Sequence, residues 1–210
     1  TAVLAEQKAG LFGDNLGITA RTKLAQIARG FLYRGKGAER TAERIDSRKV
    51  NRVVELMAME GGMCGRQVLV WTTFDEESAI LRERLPLSRV LDGRQSDEER
   101  QEILAAFRAG EFRCLISKPA LIGYGLNLQF VETMIFSGFD DSFERMYQAI
   151  RRAYRLGQQR TVRVYVPYVP ELEGMIFDNV RAKEARFLQE VTAQEALYRE
   201  ALAEELAVPA

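Results

Sequence analysis

No histidine occurs anywhere in this chain. That absence removes every nucleophile system relayed through imidazole and every histidine-ligated metal site. Cysteine is nearly as scarce. Cys64 and Cys114 lie far apart with no CxxC spacing, so two buried, reduced thiols in a cytoplasmic protein are expected. No apolar run approaches the roughly 20 residues a membrane-spanning helix needs, and the start carries no basic-then-apolar leader pattern. A phosphate loop of the form G-x-x-x-x-G-K-[ST] is missing throughout. The stretch "GKGAER" (35–40) lacks the third glycine of a dinucleotide fingerprint. This chain therefore cannot hold a nucleoside triphosphate and magnesium unaided. It begins at Thr1 rather than Met, as expected of a piece of something longer.

The composition is that of a globular protein: 47% apolar and 29% charged over 210 residues, with Lys+Arg and Asp+Glu both 30. Net charge thus announces no anionic partner, but its distribution does. The block from Arg145 to Arg163 is strongly basic, while the tail beyond Glu171 is rich in glutamate, a local anion site on a neutral body.

Short β-branched runs alternate with helical patterns. "QVLVW" (67–71), "RVLDG" (89–93), "FRCLIS" (112–117), "ETMIFS" (132–137) and "TVRVYVPY" (161–168) read as strands. Thr73 with Glu76, and Ser96 with Glu99, have capping-box spacing, and Gly110 stops the second helix. Strands separated by such helices favour an α/β domain with a mainly parallel sheet. Before Gln67 the pattern is helical, in "TARTKLAQIARG" and "DSRKVNRVVELMAM", giving a helical lead-in over 1–46. After Pro170 a long amphipathic stretch runs to about Leu206, with Thr192 and Glu195 marking a candidate break.

Three constellations could carry chemistry. In "QAIRRAYRLGQ" (148–158), a helix capped by Ser142 and running to about Leu156 puts Phe143, Met146, Ile150 and Ala153 on one stripe. Gln148, Arg152 and Arg155 lie on another, all able to donate to phosphate oxygens. Only Glu144 is near to pair with these arginines; a solvated helix face is the plain alternative. The loop "SKPALIGYGLNLQF" (117–130) follows a strand's C-terminal end, the edge where open α/β sheets bind ligands. Gly123 and Gly125 permit close backbone approach there, Asn127 adds an amide, and Ser117 and Lys118 could touch an anion, although an ordinary tight turn explains the glycines too. Asp75 and Glu76 resemble a metal-binding acidic pair but fall in a helix's first turn, where acids suit the helix dipole.

Read in order, these segments resemble the second, C-terminal RecA-like lobe of a superfamily-two helicase of the Swi/Snf-like branch and its phage-associated relatives. "QVLVWTTF" resembles that lobe's motif IV. "RVLDGRQSDEERQEILAAF" is similar to the segment that follows it, "LISKPALIGYGLNLQ" to motif V, and "MIFSGFDDSFERMYQAIRRAYRLGQ" to the run into motif VI. The likeness spans roughly 49–166. It implies a RecA-like three-layer sandwich over 47–168, followed by a helical extension over 169–210. It further implies that ATP and Mg2+ are bound mainly by a separate N-terminal lobe, while this lobe supplies arginine fingers, Arg152 and Arg155, with Gln148 beside them. Gly123, Gly125, Asn127 and Arg151 would then border the nucleotide. Thr72, Thr73, Ser117 and Lys118 would contact nucleic acid, expected to be double-stranded DNA, through its backbone. Arg151 and Tyr154 stand where the family usually has glycine and histidine.

The resemblance thus implies the motor lobe of an ATP-dependent DNA helicase or translocase, cytoplasmic in a bacterium or encoded by a phage, and inactive as an isolated piece. A non-catalytic nucleic-acid-binding module keeps the basic helix without ATP coupling. A stand-alone α/β enzyme for a phosphorylated metabolite fits the sheet and the arginines but not four helicase-like segments in order.

Overall fold

The computed structural model describes residues 18–35, 37–124, 128–139 and 142–207. The described chain opens with α1 (Ile18–Ala28), an antiparallel hairpin of β1 (Phe31–Arg34) and β2 (Thr41–Arg44), and α2 (Arg48–Met57). There follow β3 (Val68–Trp71), α3 (Asp75–Arg84), β4 (Ser88–Leu91), α4 (Asp97–Ala109) and β5 (Cys114–Ser117). Then come β6 (Thr133–Phe136), α5 (Phe143–Arg151), β7 (Arg163–Tyr165) and α6 (Pro170–Ala207).

The five later strands form one sheet in the order β4-β5-β3-β6-β7, every pairing parallel. β3, β5 and β6 are buried at every position, which is why they read as unbroken apolar runs. Alternation still decides which layer each side chain joins. Leu69, Trp71, Leu115, Met134 and Phe136 pack with Phe107 of α4 and Ala149 of α5. Val68, Val70, Ile116 and Ile135 pack on the other face with Val50, Val53 and Leu56 of α2 and Leu81 of α3. The result is a three-layer α/β sandwich with the expected parallel sheet and long terminal helix.

Four expectations are corrected. The lead-in is not helical throughout, because residues 31–44 form the β1–β2 hairpin; β2 is almost wholly exposed, so no burial period marks it. Helix α3 is entered one residue later than expected, with Phe74 at the cap and Glu77, not Glu76, reaching back to it. The Thr73 hydroxyl that would have capped it is taken by Arg29. Helix α6 runs through Thr192 and Glu195 without a break; Thr192 Oγ1 simply donates to the Leu188 carbonyl one turn back. Of the two thiols, Cys114 is buried, with burial pushing its pKa up to about 12, but Cys64 is exposed. The Ser96–Glu99 capping box and the left-handed Gly110 stop are both present on α4.

The edge of the sheet at its strands' N-terminal ends is pinned by Glu60, buried in a π-turn over Ala58–Met63. Its carboxylate accepts from Arg66 (2.6 Å), Tyr165 (2.8 Å) and Thr133 (3.1 Å). Burial pushes this carboxyl up, but the three donors outweigh it and hold the group below its ordinary value. No described helix is long and apolar enough to cross a membrane.

Candidate functional site

The segments that leave β3, β5 and β6 converge at the strands' C-terminal edge around a cavity of about 90 Å³. Thr73, Lys118, Gly138, Phe139, Arg145 and Met146 line it. The four residues expected to meet nucleic acid divide here. Thr72 and Ser117 are buried, and their hydroxyls are committed within the protein. Thr72 shares a 2.7 Å bond with Ser78, and Ser117 donates to the Leu91 carbonyl at 2.9 Å. The first ties the end of β3, where Thr72 also lines the cavity, to α3, and the second ties the end of β5 to that of β4. Thr73 and Lys118 line the cleft, Lys118 with its ammonium 2.6 Å from Asp75. That bond holds the Asp75 carboxyl below its ordinary value. Glu76 is engaged by Arg44 at 2.7 Å, so both acids at the start of α3 have structural partners. Among the described residues no group of three acids or thiols could hold a metal.

Behind the cleft lies a cluster of four charges that the sequence did not announce: Arg29, Lys49, Glu77 and Glu173, each at most 2% exposed. Arg29 donates one N–H to Thr73 Oγ1 (2.6 Å) and another to the Phe139 carbonyl (2.5 Å). Its Nε stands 3.8 Å from Glu77 and 3.6 Å from Glu173. Glu77 accepts from the backbone N–H groups of Thr73 and Phe74 and from the Ser137 hydroxyl. Lys49 meets Glu173 at 2.7 and 2.8 Å. Burial pushes the Lys49 amine down to about 8, against the pull of Glu173. Gly138 fits between these parts because it has no side chain. A Cβ there would stand 2.7 and 2.8 Å from the Glu77 oxygens and 2.9 Å from Thr73 Oγ1.

The arginine segment occupies the other end of α5. Ser142 caps this helix by accepting from the Arg145 N–H, but the helix ends at Arg151, not near Leu156. Its next carbonyl, that of Arg152, is taken by the N–H of Leu128 from across the chain. Arg155 therefore sits in a turn rather than on a helical stripe with Gln148. The turn is laced to the segment that follows the glycine loop. Gln129 Nε2 donates to the Leu156 carbonyl at 2.7 Å, and Gln158 Nε2 donates to the Gln129 and Ala153 carbonyls. Residues 128–129, at the end of the glycine-loop segment, are thus joined to the arginine turn. Gly123 lies in a 3-10 turn over Pro119–Tyr124; Gly125 and Asn127 lie outside the described residues.

Among the described residues, neither the Arg152 nor the Arg155 guanidinium has an ion pair or hydrogen bond. Glu144, the one acid nearby, is occupied by the Gln148 amide at 3.0 Å. The two residues that depart from the family pattern face each other, with the Arg151 guanidinium 5.9 Å from the centre of the Tyr154 ring. From Met146, the last residue of α5 that lines the cleft, to Arg151 at the helix end is about 7.5 Å, five residues at roughly 1.5 Å each. Sequence reasoning missed Arg29, Glu77, Gly138, Arg145 and Glu173. Only Glu77 left a local signal, as the third residue after a helix cap.

A family model described as the helicase conserved C-terminal domain matches residues 48–157. The chromatin remodeling factor mit1 of Schizosaccharomyces pombe is 29% identical over 126 residues, covering 57% of this chain and 9% of that protein. The transcription regulatory protein SNF2 of Saccharomyces cerevisiae is 33% identical over 106 residues, 48% of this chain and 6% of that one. The chain therefore spans under a tenth of the length of these relatives. Among solved structures, the C-terminal part of the Fun30 ATPase domain superposes with a TM-score of 0.60 at 22% identity, covering 64% of this chain and 46% of that one. The C-terminal domain of the DEAD-box protein Dbp5 superposes with a TM-score of 0.51 at 15% identity, covering 64% and 77%. At these identities the two structures speak for the fold.

Proposed function

Since this chain belongs to the family of helicase conserved C-terminal domains, as the C-terminal RecA-like lobe of a Swi/Snf-type helicase, we propose that it is half of an ATP-driven motor on duplex DNA. Residues 47–168 form the lobe, and the segments on either side brace it. The observation that carries this reading is the pair of guanidiniums, Arg152 and Arg155, left without partners among the described residues on a turn bonded through Gln129 and Gln158. Isolated cations held on a fixed frame are suited to an anion that arrives from another surface.

The residues fit one side of a triphosphate only. There is no phosphate loop and, among the described residues, no metal-holding cluster, so an N-terminal lobe would hold ATP and Mg2+. ATP supplies the phosphoryl group that is transferred. Arg152 and Arg155 neutralise charge on its oxygens across the interface, a contribution worth about 10³–10⁵ in rate in other phosphoryl-transfer enzymes. Gln148, fixed by Glu144, stands one turn before Arg152. Arg151 rests against Tyr154 at the rim of the same site. Gly123, Gly125 and Asn127 belong to the loop joining this turn to the strand-end cleft. At that cleft, Thr73 and Lys118 meet the sugar-phosphate backbone, and the committed hydroxyls of Thr72 and Ser117 keep the strand ends in place. Backbone contacts of this kind carry no sequence preference and weaken with salt.

The test is DNA-stimulated ATP hydrolysis by the full-length protein. Arg155→Ala and Arg152→Ala should each lower turnover by about 10³, with duplex binding retained. Unchanged turnover removes the finger assignment. Duplex binding without any hydrolysis in the parent protein would leave a nucleic-acid-binding module instead.

A further inference from the structure

Arg29 and Glu173 both lie outside the region the family model matches, 48–157. One directly follows α1 and the other is in the first turn of α6. Yet they meet behind the strand-end cleft, and Arg29 is bonded to two of the segments that line it. We infer that Arg29 is a positioning residue for that cleft, setting Thr73 and Phe139 relative to each other, with Glu173 as its counter-charge.

Three observations converge on this. First, the two acceptors belong to different segments, 44 and 110 residues away in sequence. No local hydrogen bond links Thr73 Oγ1 to the Phe139 carbonyl, and the guanidinium spans them. A planar fork with several N–H directions can do this, whereas an ammonium is a single point charge. Second, the group has no freedom to turn elsewhere. It is 2% exposed, its Nε lacks a hydrogen bond, and that nitrogen lies between two carboxylates at 3.6 and 3.8 Å. Third, there is no slack on the cleft side. Gly138 lies against Glu77 and Thr73 with no room for a methyl group, so a shift of Thr73 is felt directly by the segment that follows β6.

Arg29 and Glu173 therefore give the helices entering and leaving the lobe a buried polar link to its working edge, beside the apolar packing of Ala25, Ile176 and Val180 with Phe139. Any pull on α1 or α6 reaches Thr73 and Phe139 without passing through the sheet. What the cleft holds, a DNA backbone, rests on the function proposed above; that Arg29 shapes the cleft does not.

The decisive variant is Arg29→Lys in the full-length protein, which keeps the charge and loses the fork. Misplacement of binding groups by about 1 Å can cost as much as 10²-fold. The duplex concentration giving half-maximal ATP hydrolysis should rise about tenfold. The KM for ATP should stay within about twofold, because the arginine turn is at the far end of α5. Lower thermal stability with an unmoved DNA half-saturation would overturn the inference and leave Arg29 a purely structural residue.

Should Arg29→Lys fail to fold, Arg29→Met with Glu173→Gln keeps the cluster electrically balanced, Lys49 against Glu77, and the same rise is expected. A second readout needs no activity. Amide hydrogen exchange in peptides covering 72–75 and 136–139 should quicken at least tenfold in either variant while the peptide over β5 is unchanged. Equal exchange across all three overturns the inference. A parent protein whose hydrolysis ignores DNA would count against the proposed function alone, and the exchange result would still decide the role of Arg29.

Discussion

Two groups of cations sit at opposite ends of α5, and they are handled in opposite ways. Arg29 and Lys49 are buried with Glu77 and Glu173; Lys49 and both terminal nitrogens of Arg29 donate to acceptors inside the lobe, and Arg29 Nε lies between the two carboxylates. Arg152, half-buried, and Arg155, exposed, are set on a turn whose Arg152, Ala153, Arg155 and Leu156 carbonyls are all bonded, while their guanidiniums have no partner among the described residues. A buried, paired charge cannot move without leaving another unpaired, so it holds shape. An exposed, unpaired charge holds nothing in the lobe and remains available. The first group is framework and the second is equipment.

The largest loss of stability should follow Arg29→Ala. It strands two buried carboxylates with Lys49 as their one remaining buried cation, and removing one partner of a buried ion pair typically costs about 3–5 kcal/mol. Equilibrium denaturation of the lobe measures it. A loss below about 1 kcal/mol would mean that the cluster is not the framework it looks like. Next comes Gly138→Ala. Its methyl group would press on oxygens held by four donors, those of Thr73, Phe74 and Ser137. Overpacking of this kind costs about 1–3 kcal/mol. The same denaturation experiment, run beside Gly62→Ala, where a Cβ meets nothing within 4 Å, isolates the steric term.

The cluster was invisible in the sequence for a simple reason. Its members pair across 44, 110 and 124 residues, and no periodicity or spacing reports such meetings. The strands were legible because a central parallel strand is buried on both faces, so its apolar run is uninterrupted. β2 was not, since Thr41–Arg44 buries almost nothing. The arginine motif was legible in order but not in shape. The residues after Arg151 have adequate helix propensity, yet the Leu128 N–H takes the Arg152 carbonyl and the helix stops. Tertiary bonding decided where local preference would have run on.

A pH experiment sharpens the framework half. In the folded lobe Lys49 titrates near 8, below its ordinary value of 10.5. Between those values the unfolded chain holds more protons than the folded one, so this group makes stability rise with pH. Below about 8 both states are protonated and the slope from Lys49 vanishes, with the penalty of the buried charge present in full. Melting temperatures taken in steps from pH 7.5 to 10.5 should therefore show a rising component that Lys49→Met abolishes. An identical pH profile in the variant would place the proton elsewhere in the cluster.

The smallest expected change in stability is the most telling one. Arg152→Ala and Arg155→Ala should each move the unfolding free energy by no more than about 0.5 kcal/mol, the ordinary range for surface positions without a structural partner. Removing either side chain leaves the bonds that fix the turn intact, since Leu128, Gln129 and Gln158 all donate to backbone carbonyls. A slight gain is the expected direction for Arg152→Ala, because it relieves repulsion among the guanidiniums at positions 151, 152 and 155. The same two substitutions are expected to cost about 10³ in turnover. A side chain that matters greatly to the reaction and hardly at all to folding is one the lobe keeps for a partner. Destabilisation above about 1 kcal/mol by either variant would show instead that these arginines are framework, and the two ends of α5 would no longer differ in kind.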